Sequence, residues 1–107
     1  MELNRVVVTG MGALTPIGNN IDDTWANLLA GKSGAAPITL FDASKFKAHF
    51  ACEVKNFNPG DFIDRKDVRK MDRCTQLGMV AAMQAVENSK LDLDTVDKNR
   101  VGVIYGI

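Results

Sequence analysis

The chain has 107 residues, 46% hydrophobic and 24% charged, with 13 basic side chains balancing 13 acidic ones. That length allows one domain or part of one, in a composition ordinary for globular proteins. Zero net charge argues against nucleic acid as the partner, and no run approaches the roughly eighteen apolar residues of a membrane span.

The N-terminus, MELNRVVVTG, places an acidic residue ahead of a short apolar run and does not resemble a secretory signal. Arg5 to Gly10 carries three consecutive valines closed by a glycine, the pattern of an inner strand covered on both faces. Gly12, Pro16 and Gly18 then mark a loop. Asn20 is a helix N-cap, with Asp23 three places on reaching back in the manner of a capping box. Ile21, Trp25, Leu28 and Leu29 share one face of the helix, and Gly31 ends it. Lys32 to Lys47 reads as a surface loop, His49 to Lys55 as a short strand, and Asn58-Pro59-Gly60 as a turn.

Asp64 to Glu87 predicts a long helix with a charged start, breaking near Met71 into a short basic piece and a long apolar one. From Leu77 to Val86 only Gln84 is strongly polar. A helix apolar on every side has to be covered on every side. Asn88 to Arg100 is a polar connection with a short helix expected at Asp94 to Lys98, and Val101 to Tyr105 is a further apolar strand. This order of elements argues for an α/β layered fold. A buried strand at the end of the chain, and a helix the rest cannot cover, read as the N-terminal portion of a larger protein.

Several short motifs fail on their context. Gly10-Met11-Gly12 after a strand invites a dinucleotide fingerprint, but Thr15 stands where the third glycine belongs. Gly31-Lys32-Ser33 follows a helix rather than a strand and lacks the first glycine of a phosphate loop. His49 is the single histidine, with no ligand set around it. Cys52 and Cys74 form no CxxC pair and read as small buried residues, free thiols in a cytoplasmic chain. No cofactor is implied.

The basic head carries more information. On a continuous helix Arg65, Lys66, Arg69, Lys70 and Arg73 fall within an arc of roughly 140°, and the aspartates fall outside it. The plain reading is a solvated face with weak ion pairs. The functional reading is a positive stripe that steers an acidic partner.

Taken together, RVVVTGMGALTPIGN, TWANLLAGKSG, FDASKF, DRKDVRKMDR and VGVIYG resemble the N-terminal portion of the β-ketoacyl-[acyl-carrier-protein] synthases. FDASKF and its spacing to RKDVRKMD are closer to the synthase II type than to the synthase I type. The resemblance covers essentially the whole chain. It implies a thiolase-like fold, with α-β-α-β-α layers and two mixed five-stranded sheets, of which residues 1–107 would be the opening part of the first half. It implies a homodimer that condenses acyl thioesters with malonyl-acyl carrier protein by a decarboxylative Claisen reaction in fatty-acid elongation. The family's catalytic cysteine and two histidines come after the matched segment, so no catalytic residue is expected in this chain.

What carries over is acyl carrier protein docking, through basic residues matching Lys66, Arg69 and Lys70. The alternatives are a non-catalytic carrier-binding or scaffold module, and a ketosynthase of a polyketide pathway. The family continues Gly-Ser-Gly-Ile-Gly-Gly where this chain reads Gly106-Ile107. Ile107 either matches the family's isoleucine or marks a different ending, and it receives no role.

Overall fold

The computed structural model describes residues 1–106, and Ile107 lies outside the described residues. Three helices carry the architecture: α1 (Ile21–Leu29), α2 (Arg65–Val68) and α3 (Arg73–Ser89). Between α1 and α2 a two-stranded antiparallel sheet pairs β1 (Ala36–Pro37) with β2 (Phe50–Ala51). Single 3-10 turns follow at Pro59–Asp61 and Lys98–Arg100.

α1 forms because both of its ends are closed. Asn20 Oδ1 accepts from the Asp23 amide at 2.7 Å, and the Asn20 carboxamide donates back to Asp23 Oδ2 at 2.8 Å. The return bond runs side chain to side chain, a variant of the expected capping box. At the far end Gly31 adopts a φ of 65° and donates to the Leu28 carbonyl, while Lys32 donates to Asn27. A left-handed glycine closing two carbonyls is a standard helix stop.

The long segment breaks where expected, around Met71. Asp72 caps α3, its Oδ1 accepting from the Thr75 amide at 2.7 Å. The β2 strand occupies only Phe50–Ala51 of the stretch expected from His49 to Lys55. Its partner β1 lies within the segment read as loop, where Pro37 disguises it by removing a ladder donor. The hairpin is clamped by Glu53, which accepts from the Thr39 hydroxyl at 2.8 Å and from the Thr39 and Leu40 amides. That hydroxyl bond, above all, holds the Glu53 carboxyl below its ordinary pKa.

Three expectations are corrected. Arg5 to Gly10 and Val101 to Tyr105 are not strands here: their valines stand exposed and no ladder runs through them. A strand is a shared structure, since each backbone N–H and C=O needs a partner across the ladder. Among the described residues no neighbour offers one. The helix expected at Asp94 to Lys98 is replaced by the 3-10 turn at Lys98–Arg100, with Lys98 and Asp94 3.9 Å apart as an exposed pair.

The apolar helix keeps open sides, as expected of a helix that the rest of the chain cannot cover. Val80 is fully buried, but Met79, Met83 and Val86 are 42%, 44% and 43% exposed. Among the described residues only Ala43, Ile63 and Val80 form a buried apolar core. The radius of gyration is 17.3 Å, against about 13 Å for a compact domain near this size. The described residues therefore do not enclose α3, and the expected layers of sheet around it are not assembled by them. Among the described residues no helix is long and apolar enough to cross a membrane.

α3 is nevertheless the organising axis. The N-terminal segment runs along one side of it, with Gly10 and Gly12 in the closest approach. The C-terminal segment lies on another side, where the Tyr105 hydroxyl donates to the Gly78 carbonyl at 3.1 Å.

Candidate functional site

The basic head sits on α2 and the break that follows it. Below it Ile63 is buried, anchoring the entry to the helix. Asp64 caps α2 by accepting from the Lys66 amide at 2.8 Å. Asp61 accepts from the Asn58 carboxamide at 2.9 Å, and Asp72 caps α3. Three of the four aspartates are thus held by local caps and turns. The fourth, Asp67, lies 3.4 Å from Lys70 in a pair whose side chains are 53% and 75% exposed. Such an exposed pair contributes about 0–1 kcal/mol and is readily exchanged for another partner.

Lys66, Arg69 and Lys70 are all exposed, and among the described residues Lys66 and Arg69 have no ion-pair partner. The aspartates of this segment are exposed as well. Capping ties Asp64 and Asp72 to backbone amides, and Asp61 is held by the Asn58 carboxamide. The break at Arg69–Asp72 invalidates the single-helix wheel beyond Val68.

Arg73 leaves the stripe altogether. Its guanidinium donates to the Val54 carbonyl at 3.2 Å and lies 5.9 Å from the centre of the Phe57 ring, which stacks with Phe62. Lys55 is exposed but engaged by the backbone, donating to the carbonyls of Gly34, Glu53 and Pro16. Neither cation is presented to a partner in the way Lys66, Arg69 and Lys70 are.

Two glutamines do structural work that the charge pattern did not reveal. Gln84 accepts from the Ala13 amide at 3.2 Å and donates to the Asn19 carbonyl at 2.7 Å, fastening the N-terminal segment to α3. Gln76 donates to the carbonyls of Val68 and Met71, fastening α2 to α3. The signal for Gln84 was visible: a lone amide in an apolar helix needs polar partners. Gln76 carried no such mark, because it lies one turn from Asp72 and Arg73, at the polar end of the helix where any polar side chain is ordinary.

The glycines of Gly10-Met11-Gly12 serve packing. A Cβ at either position would collide with the backbone of α3 at Ala81, Ala85 or Ser89. The Met11 amide donates to Asn88 Oδ1 at 3.0 Å, so this backbone faces a helix flank and no phosphate.

Cys52 and Cys74 are exposed free thiols, correcting their expected burial. Cys74 borders an apolar groove of about 280 Å³ shared by Gly78, Met79, Ala82, Val103 and Tyr105. His49 has its Nδ1 3.0 Å from the Ala43 carbonyl. Among the described residues no group of three His, Cys, Asp or Glu side chains is placed to hold a metal ion.

Residues 3–107 match the family model described as beta-ketoacyl synthase, N-terminal domain. The chain is 49% identical over 102 residues to the 3-oxoacyl-[acyl-carrier-protein] synthase 2 of Staphylococcus aureus (strain COL), covering 95% of this chain and 25% of that protein. Its similarity to the protein of the same name from Coxiella burnetii is 48% over 106 residues, covering 99% and 26%. For that of Synechocystis sp. the identity is 43%, with the same coverage. Among solved structures, the ishigamide ketosynthase/chain length factor aligns with a TM-score of 0.76 and 41% identity, over 82% of this chain and 22% of that one. The chain spans about a quarter of the length of the curated relatives it matches.

Proposed function

Since this chain belongs to the beta-ketoacyl synthase N-terminal domain family, we propose that it is the opening part of a 3-oxoacyl-[acyl-carrier-protein] synthase II. The observation that carries this reading is identity of 43% to 49% with proteins of that name, over 95% to 99% of this chain. The complete protein would be a cytoplasmic homodimeric acyltransferase of fatty-acid elongation. Residues 1–107 would be the N-terminal part of its first thiolase-like half.

In that fold α3 lies between two mixed five-stranded sheets. The open sides of α3 and the unpaired valine segments support this placement, since both are surfaces that a layered sheet would cover. In the reaction, an active-site cysteine outside this chain accepts the acyl group as a thioester. Malonyl-acyl carrier protein loses carbon dioxide, and its carbanion forms the new carbon–carbon bond as the cysteine thiolate departs. Two histidines, also outside this chain, stabilise the developing negative charge on oxygen. No catalytic role falls to Cys52, Cys74 or His49.

This chain's own contribution is recognition. Lys66, Arg69 and Lys70 would receive an acidic helix of acyl carrier protein. Their exposure, with the neighbouring aspartates held in caps or in a weak pair, supports that role. Charges at the rim of an interface act mainly on encounter and on salt dependence.

The test is to change Lys66, Arg69 and Lys70 together to glutamate in the complete enzyme. KM for carrier-bound substrate should rise at least tenfold, the effect of losing about 1.4 kcal/mol of pairing. Turnover of a small thioester without carrier should barely change. Equal losses on both substrates would show damage to the fold and remove the docking role. A ketosynthase of a polyketide pathway is the second reading, and the higher identity to proteins named synthase 2 favours the first. Assay of the complete enzyme in a reconstituted fatty-acid elongation reaction separates the two.

A further inference from the structure

We propose that Gln76 is a positioning residue for the basic head, holding Arg69 and Lys70 in register with Lys66 so that all three meet an acidic helix together. This inference rests on the docking reading above.

α2 has only four residues, a single turn, and a turn of that length does not persist without tertiary support. Its start is secured by the Asp64 cap and by buried Ile63. Its end is the weak point, because the chain breaks there. From the backbone the Val68 carbonyl receives a 3.3 Å bond from the Met71 amide, and the helical ladder does not continue beyond it. Gln76 supports that end. Its Nε2 donates to the Val68 carbonyl at 3.2 Å and to the Met71 carbonyl at 3.1 Å. These two carbonyls bracket Arg69 and Lys70 in the chain.

A carboxamide suits the place because one neutral nitrogen carries two donors, enough for two acceptors at once. Gln76 itself is half-buried, within the first turn of the 17-residue α3. It therefore links the docking residues to the longest rigid element in the chain. The bare charges of the head do not require this bond; their relative orientation does.

Two variants of the complete enzyme test the role. Gln76→Met keeps length and removes both donors, and Gln76→Glu sets an acceptor against two carbonyls. In each, KM for carrier-bound substrate should rise roughly fivefold, as when exposed charge pairs lose alignment, while kcat holds. Amide hydrogen exchange across residues 65–72 should accelerate in parallel. The triple glutamate variant of Lys66, Arg69 and Lys70 is measured alongside. If the triple variant raises KM and the Gln76 variants do not, the positioning role is overturned and docking stands. If the triple variant leaves KM unchanged, docking fails and the positioning role with it. A Gln76 variant that lowers kcat in step with its thermal midpoint also overturns the proposal, since that is the pattern of general destabilisation.

Discussion

Gly12 lies against Ala85 so closely that a Cβ at position 12 would stand 2.6 Å from the Ala85 nitrogen. The same Cβ would collide with the Ala81 carbonyl. The approach exists because neither partner is bulky: a glycine faces a helix flank built on alanines. Gly12→Ala in the complete protein should cost about 1–3 kcal/mol, the usual penalty for overpacking a close contact. A denaturant midpoint identical to the parent would show that the N-terminal segment stands off from α3.

Gln84 satisfies two backbone groups of that same segment, at Ala13 and Asn19. Gln84→Met preserves length and apolar contact but strips both partners. About 1–3 kcal/mol of stability should be lost for each half-buried group left bare. Chemical denaturation read by circular dichroism measures it, and an unchanged or improved stability would contradict the bridging role.

Asp72 sets the acid side of the stability profile around α3. Its carboxyl is held below its ordinary pKa of 3.8 by the Thr75 hydroxyl first, and then by the Thr75 amide. A lowered folded value means the contribution is complete above 3.8 and is lost as pH falls through the lower folded value. Asp72→Asn still caps the helix but carries no charge. The parent should therefore be more stable than this variant at neutral pH, with the gap closing under acid. Urea midpoints followed across that range decide it; a gap independent of pH would contradict it.

Lys90 closes α3 in the left-handed region at φ 54°. A side chain there carries a backbone penalty of roughly 1–2 kcal/mol, which glycine avoids. Lys90→Gly should raise the thermal midpoint of the complete protein, offset in part by glycine's greater freedom when unfolded. A lowered midpoint would mean that Lys90 contributes more through its side chain than it costs in strain.

Local features were legible without coordinates because their causes are local. The Asn20 start, the Gly31 stop and the break near Met71 each depend on residues within one turn of chain. The basic head was legible as composition, and Lys66, Arg69 and Lys70 are exposed. The wheel that grouped the cations holds only for a continuous helix, and the chain breaks between Arg69 and Asp72, around Met71 as expected.

Sequence alone determined α1 with its Asn20 cap and Gly31 stop, the break near Met71, the apolar character of α3 and the family resemblance, all of which follow from residue type and near-neighbour spacing. Tertiary structure decided which polar groups engage the backbone. It turned Arg73 and Lys55 to backbone carbonyls, set Gln76 and Gln84 as ties, and put Gly10 and Gly12 against a helix. Strands also belong to this second class. A valine run states that a segment is fit for a sheet, but a ladder needs a second backbone at hydrogen-bond distance, and no property of the first strand supplies it.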